Sequence, residues 1–112
     1  MRVEIKAMSV NSIFQGRRFK TKEYKKWREE FGFLLMGQKY KTYTGKNMLA
    51  VKINFYVKNY KMIDLDNLAK GVLDSLVENG VIKDDRYIKT LKLAKYPIKD
   101  KEFIDITIRE LN

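Results

Sequence analysis

The sequence predicts an α+β fold in which two helices pack on one face of a mixed β-sheet. Several segments alternate apolar and polar residues, as strands buried on one side do, and two others carry apolar residues at helical spacing. With 112 residues, the chain can bury one sizeable core. We therefore expect a single domain over residues 1–112, with elements in the order β-α-β-α-β-β.

The first half of the chain contains one predicted strand and one predicted helix. Residues 2–7 alternate and predict the strand, and a polar, basic stretch follows it up to Thr21. Thr21 is a residue type that caps helices, and Gly37 or the loop at Gly45 should end the helix. Its apolar face comprises Tyr24, Trp27, Phe31, Leu34 and Leu35.

The second half contains three predicted strands and a helix. Residues 49–57 alternate most clearly and predict a strand buried on one face. Residues 67–79 predict a helix with Gly80 as its C-terminal stop. The remaining strands are predicted at 87–96, ended by Pro97, and at 103–109.

Charge and composition limit the chemistry. The chain has 24 Lys and Arg against 14 Asp and Glu, a net charge of +10 that attracts polyanions, and most of the excess lies in residues 1–48. The absence of Cys and His excludes disulfides, thiolate or imidazole catalysis and the usual zinc sites. No apolar run is long enough to span a membrane, and we expect a cytoplasmic protein.

All seven aspartates lie at or after position 64, and four of them form two pairs. In extended geometry Asp64 and Asp66 point to the same side while Leu65 turns to the core. Gly80 should then let the chain reverse and bring Asp84 and Asp85 back beside Asp64. Because two or three carboxylates with open positions hold Mg²⁺ or Mn²⁺ at phosphoryl-transfer sites, the pattern predicts a divalent-metal site.

Lys70 lies one helical turn after Asp66. It should project along the same helical face, close to a metal-bound phosphate, and stabilise the charge of the transition state there. The alternative is a solvated lysine with no catalytic role.

Structural interpretations of the acidic residues stay open as well. Asp66 could simply cap a helix, Asp84 and Asp85 could form a solvated turn, and Asp64 could pair with Lys61 at the surface. Against these, clustered like charges cost folding free energy unless a cation offsets it. An EF-hand is excluded, because its ligand, glycine and glutamate positions would be occupied by Leu68, Ala69 and Ser75.

The ordered series of motifs resembles the RusA family of Holliday junction resolvases. That family has a D-x-D-N-x-x-K run, an amphipathic D-x-L helix, a turn of Gly and two aliphatic residues, and a D-D pair. This chain keeps every spacing over residues 64–85, in the segments Asp64-Leu65-Asp66-Asn67-Leu68-Ala69-Lys70, Leu73-Asp74-Ser75-Leu76, Asn79-Gly80-Val81-Ile82 and Asp84-Asp85.

The resemblance implies a small homodimeric, Mg²⁺-dependent endonuclease that nicks four-way DNA junctions symmetrically. Asp64, Asp66 and Asp85 match the essential metal-binding acids, Lys70 matches the essential lysine, and Asp84 matches the accompanying acid. Mn²⁺ is expected to substitute for Mg²⁺. Family members are widespread in phages and prophages, so the expected setting is a bacterial or phage-infected cytoplasm.

We therefore predict metal-assisted phosphodiester hydrolysis on branched DNA. Basic residues should bind backbone phosphates without reading sequence, namely Arg17, Arg18, Lys20, Lys22, Lys25 and Lys26. One alternative is a non-catalytic nucleic-acid-binding module that stacks bases on exposed aromatic residues such as Tyr40 and Tyr43. Another is a structural or interaction protein whose acids hold an ion for folding only.

Overall fold

A computed structural model describes residues 1–9, 14–15 and 19–111, with positions 14, 15, 19 and 20 described by their backbone alone. The strands are β1 (Arg2–Val3), β2 (Phe14–Gln15), β3 (Phe19–Lys20), β4 (Leu49–Val57), β5 (Ile88–Pro97) and β6 (Phe103–Glu110). The helices are α1 (Lys22–Met36) and α2 (Ala69–Glu78), with short 3₁₀ turns at Tyr60–Met62, Leu65–Leu68 and Asp85–Tyr87.

Four strands form the mixed sheet that the sequence predicts, in the order β1-β6-β4-β5. The central pair is parallel, β4 with β5, whereas β6 runs antiparallel to both β4 and β1. The predicted α+β class is confirmed. A parallel pair cannot be joined by a tight turn, so the chain between β4 and β5 crosses over the sheet and includes α2.

Both helices pack on the same face of the sheet. The alternating side chains of β4 from Leu49 to Val57 are at most 2 % exposed, and they meet apolar residues of both helices. The main helical contributors are Tyr24, Trp27, Phe31, Leu35, Val72 and Leu76. The opposite row of β4 is exposed or half-buried, so one face of the sheet is open among the described residues.

Helix boundaries follow local chemistry. Thr21 caps α1 as predicted, because its hydroxyl accepts a hydrogen bond from the backbone N–H of Tyr24 at 3.1 Å. Gly37, the first of the two proposed stops, ends the helix. Gly80 ends the α2 region with a φ of 71°, a conformation that favours glycine, and the N–H of Val81 returns to the carbonyl of Leu76.

Two predicted elements differ clearly in extent, and one strand pairing was not predicted. The first strand keeps only Arg2–Val3, because the N–H of Ile5 bonds to the Val3 carbonyl at 2.9 Å and turns the chain away from β6. The second helix begins as a 3₁₀ turn before Ala69. The β2–β3 pairing was not predicted, since two-residue strands are too short for a detectable alternation.

The central strand tests the packing argument. Ile53 is fully buried between the helices and the neighbouring strands, so Ile53→Ala should lower the free energy of unfolding by about 2–5 kcal/mol. Urea unfolding followed by circular dichroism would measure it. The control is Lys58→Ala, an exposed change just past the same strand, which should stay within about 0.5 kcal/mol of wild type.

Candidate active site

Asp64 and Asp66 lie at the start of the crossover, and both are exposed. Asp64 has extended backbone (φ −78°, ψ 119°), and Leu65 turns to the core as predicted. The prediction that extended geometry relates the two acids is wrong at Asp66, which belongs to the 3₁₀ turn Leu65–Leu68. The tighter turn forms because the N–H of Asn67 bonds to the Asp64 carbonyl at 3.2 Å.

Lys95 of β5 binds the backbone of the segment just before Asp64. Its ammonium Nζ donates to the carbonyl oxygens of Tyr60 and Ile63, each at 2.7 Å, and lies 4.8 Å from the centre of the Tyr60 ring. The second carbonyl belongs to the peptide bond that joins Ile63 to Asp64. Sequence reasoning missed this residue. The signal that could have found it is its position: Lys95 follows Leu91 and Leu93 in the row of β5 that faces the helices, where an apolar residue would be expected.

Lys70 lies in the first turn of α2 and is exposed, and its partner is Asp74. Its Nζ lies 3.3 Å from Oδ2 and 3.4 Å from Oδ1 of that carboxylate, one turn further along the helix. Asp74 also accepts a hydrogen bond from the hydroxyl of Tyr24 at 2.7 Å. A chain of contacts therefore runs from α1 through Asp74 to Lys70, and neither Tyr24 nor Asp74 was predicted as part of the site.

Burial is the main cause that raises the pKa of Tyr24, and the hydrogen bond to Asp74 raises it further. Deprotonation would place two negative charges at 2.7 Å in the packed contact between the helices. Tyr24 therefore stays a donor at neutral pH, and Asp74 remains free to accept from Lys70 as well.

Asp84 and Asp85 follow the turn at Gly80 and lie beside α2. The Asp84 carboxylate accepts from the N–H of Arg86 at 3.0 Å, which is the main cause that lowers its pKa. Both acids line a shallow depression of about 450 Å³, whose other residues are Arg28, Asp74, Val77 and Glu78. Arg28 and Glu78 form an ion pair at 2.6 Å across α1 and α2.

The predicted ligands do not form one group. Asp64 lines a different cavity of about 490 Å³, together with Trp27, Asn59 and Asn67. Within the described part of the chain, no three acidic side chains lie close enough together to hold a metal ion. The carboxylate oxygens of Asp64, Asp66 and Asp85 are of the hard type that Mg²⁺ prefers, but the ligand set stays a prediction.

The structural alternatives for these acids fare differently. The N-cap position of α2 is Leu68, with no side-chain cap, so Asp66 is not a cap of that helix. Among the described residues, no ion pair joins Asp64 to Lys61. Asp84 does cap the short turn Asp85–Tyr87, so the structural interpretation applies to that residue.

The basic residues proposed for DNA binding are only partly described. Lys22, Lys25 and Lys26 are exposed on α1. Arg17, Arg18 and the side chain of Lys20 lie outside the described residues.

The expectation that Tyr40 and Tyr43 are exposed is wrong. Both are half-buried against the core, and the Tyr43 hydroxyl donates to the Ile108 carbonyl at 3.1 Å. Packing holds the two rings, so they are poor platforms for stacked bases.

Comparison with known proteins decides the family. A family model described as Endodeoxyribonuclease RusA matches residues 6–109 of this chain. The chain belongs to the RusA endodeoxyribonuclease family. It is therefore an enzyme of the class that resolves Holliday junctions, and the resemblance noted at residues 64–85 is confirmed. A search of curated proteins finds no match. None of the described helices is long and apolar enough to cross a membrane.

The contact between Tyr24 and Asp74 leads to a stability prediction. Tyr24→Phe should lower the free energy of unfolding at pH 7 by about 1–3 kcal/mol, because the hydrogen bond from a buried phenol to a carboxylate is lost. The raised pKa means that the folded chain keeps the phenol proton at a pH where the unfolded chain loses it. The difference between wild type and variant should therefore be full below pH 10 and shrink above it.

Urea titrations at pH 7 and at several values above pH 10 would measure that difference. Tyr96→Phe is the matched control, since it removes a phenol oxygen from an exposed ring. If the difference in free energy of unfolding between wild type and Tyr24→Phe stayed constant across the pH range, the proposed role of the Tyr24 hydroxyl as a donor to Asp74 would be contradicted.

Proposed function

We propose that this RusA-family enzyme is a Mg²⁺-dependent, homodimeric resolvase that nicks two opposed strands of a four-way junction. Asp64, Asp66 and Asp85 are the proposed metal ligands, and Lys70 is the proposed catalytic cation. The observation that carries the proposal is the motif series of residues 64–85, which keeps the family spacing within a crossover that leaves Asp64, Asp66 and Lys70 exposed.

The proposed residues have distinct tasks. A bound Mg²⁺ would supply Lewis-acid polarisation of the scissile phosphate and would favour an attacking water. Lys70 would neutralise charge that develops on the phosphate or on the leaving oxygen. Asp74 orients the Lys70 ammonium, and Lys95 limits the movement of the backbone that carries Asp64. Lys22, Lys25 and Lys26 would hold backbone phosphates.

The proposal of a dimer rests on the substrate. A four-way junction has near two-fold symmetry, so a two-fold dimer can present one site to each of two opposed strands. Size-exclusion chromatography with light scattering would test this part separately. A monomer mass in the presence of junction DNA would contradict it.

The direct test compares two labelled substrates, a synthetic four-way junction and a linear duplex, with and without Mg²⁺. We expect paired symmetric nicks in the junction, dependent on Mg²⁺ or Mn²⁺, and little cleavage of the duplex. Binding of the junction without cleavage at any Mg²⁺ concentration would instead favour the non-catalytic binding module.

Binding and cleavage should be separable by mutation. Asp64→Asn and Asp66→Asn each remove the charge of a proposed ligand, so cleavage should be lost. Junction affinity should stay the same or rise, because repulsion towards phosphate decreases. Quenched-flow cleavage assays and fluorescence anisotropy with EDTA would measure the two properties. Asp100→Asn is the control, an exposed aspartate in the β5–β6 turn. Near-wild-type cleavage by both variants would contradict the assignment of Asp64 and Asp66 as metal ligands.

Lys70 has its own expected phenotype. Lys70→Met should lower the single-turnover cleavage rate by roughly 10²–10³-fold, as for the loss of one donor to transition-state charge. Junction affinity should change little, because one exposed cation is a small part of the basic surface. A variant that binds tenfold more weakly but cleaves at the normal rate when saturated would show that Lys70 serves binding alone.

A further inference from the structure

The open face of the sheet carries a cluster of cations that the proposed active site does not use. Lys52, Lys92 and Arg109 point away from the helices, since they alternate with the buried rows of β4, β5 and β6. All three are exposed. Together with Thr90 and Thr107 they line a depression of about 290 Å³, which lies on the strands themselves.

The pairing register makes this cluster energetically unusual. Lys52 of β4 lies beside Lys92 of the parallel strand β5, so two like charges stand next to each other on neighbouring strands. No carboxylate among the described residues lies within 4 Å of any of the three cations. Within the described part of the chain, these cations therefore have no ion-pair partner, and an anionic ligand would supply one.

The other end of the same face carries three aromatic rings that stack on one another. Tyr56 stacks on Phe103 at 4.2 Å and on Tyr96 at 5.2 Å between ring centres. The guanidinium of Arg2 covers the far side of Phe103 at 3.7 Å. The rings of Tyr56 and Phe103 are covered on both faces and cannot receive bases, so only the outer face of Tyr96 is left for stacking.

We propose that this open face binds the sugar-phosphate backbone of a duplex DNA arm, with Lys52, Lys92 and Arg109 as the phosphate contacts. The inference rests on the proposed function for the identity of the polyanion as DNA. A second copy of the chain fits poorly, because Lys52, Lys92 and Arg109 on this face have no ion-pair partner among the described residues, whereas Arg2 pairs with Glu4. Two such faces packed together would confront positive charge with positive charge.

The experiment uses the double variant Lys52→Ala/Lys92→Ala and measures binding by fluorescence anisotropy with EDTA, so that cleavage plays no part. The probes are a four-way junction, a linear duplex and a single strand. Affinity for both duplex-containing probes should fall about tenfold at 0.1 M salt. The slope of log affinity against log salt should become shallower by about 1.8 for two lost phosphate contacts.

Two controls isolate the effect of this face. Lys39→Ala/Lys46→Ala removes the same charge from the exposed loop between α1 and β4, and it should leave the salt slope within one unit of wild type. Tyr96→Ala removes the most exposed ring of the row and should leave duplex affinity unchanged. The urea midpoint of Lys52→Ala/Lys92→Ala should match or exceed that of wild type, because a repulsive pair is removed.

Equal losses in the two lysine double variants would overturn the proposal, since general charge would then explain binding. A loss confined to single strands would reassign the face to base contacts. A change of oligomeric mass in Lys52→Ala/Lys92→Ala without DNA would assign the face to a second copy. If wild type fails to cleave junctions, the proposed activity fails, whereas this binding comparison still decides the role of the face.

Discussion

Helix α2 approaches α1 closely because Gly71 has no side chain. A Cβ at that position would stand 3.1 Å from Cζ3 of Trp27, closer than most real contacts of this kind. The rest of the site depends on this approach. It brings the Tyr24 hydroxyl within 2.7 Å of Asp74, and Asp74 in turn holds Lys70. The packing of a core glycine thus sets the position of an exposed cation.

The candidate site therefore has two supports that differ in chemistry. Lys70 is held from the helix side, by a carboxylate anchored to a buried phenol. The backbone before Asp64 is held from the sheet side, by the ammonium of Lys95 on two carbonyls. Each contact thus connects an exposed, proposed catalytic residue to an element that packs in the core. Preorganisation of this kind lets a small protein keep charged groups in place without burying them.

Sequence reasoning was most successful where a pattern has a physical period. The alternation of residues 49–57 predicted both β4 and its buried row, and the capping chemistry of Thr21 placed the start of α1. The motif series of residues 64–85 predicted the family. Contacts between distant elements were not predictable, because no local pattern encodes which lysine reaches which carbonyl. The contacts of Lys95 with two carbonyls and of Tyr24 with Asp74 are of this kind. Asp66 was misjudged because 3₁₀ turns have no strong sequence signature.

The parallel pairing of β4 with β5 places every proposed catalytic residue within one crossover, between residues 57 and 88. The crossover begins and ends in adjacent strands that hydrogen bonds hold together. The loop between α1 and β4 and the β5–β6 turn carry none of the proposed catalytic residues. The backbone could thus be opened in the exposed β5–β6 turn without touching the segment that carries the proposed catalytic residues. A crossover taken from a relative would have to keep the apolar positions of α2 that pack in the core, among them Val72 and Leu76.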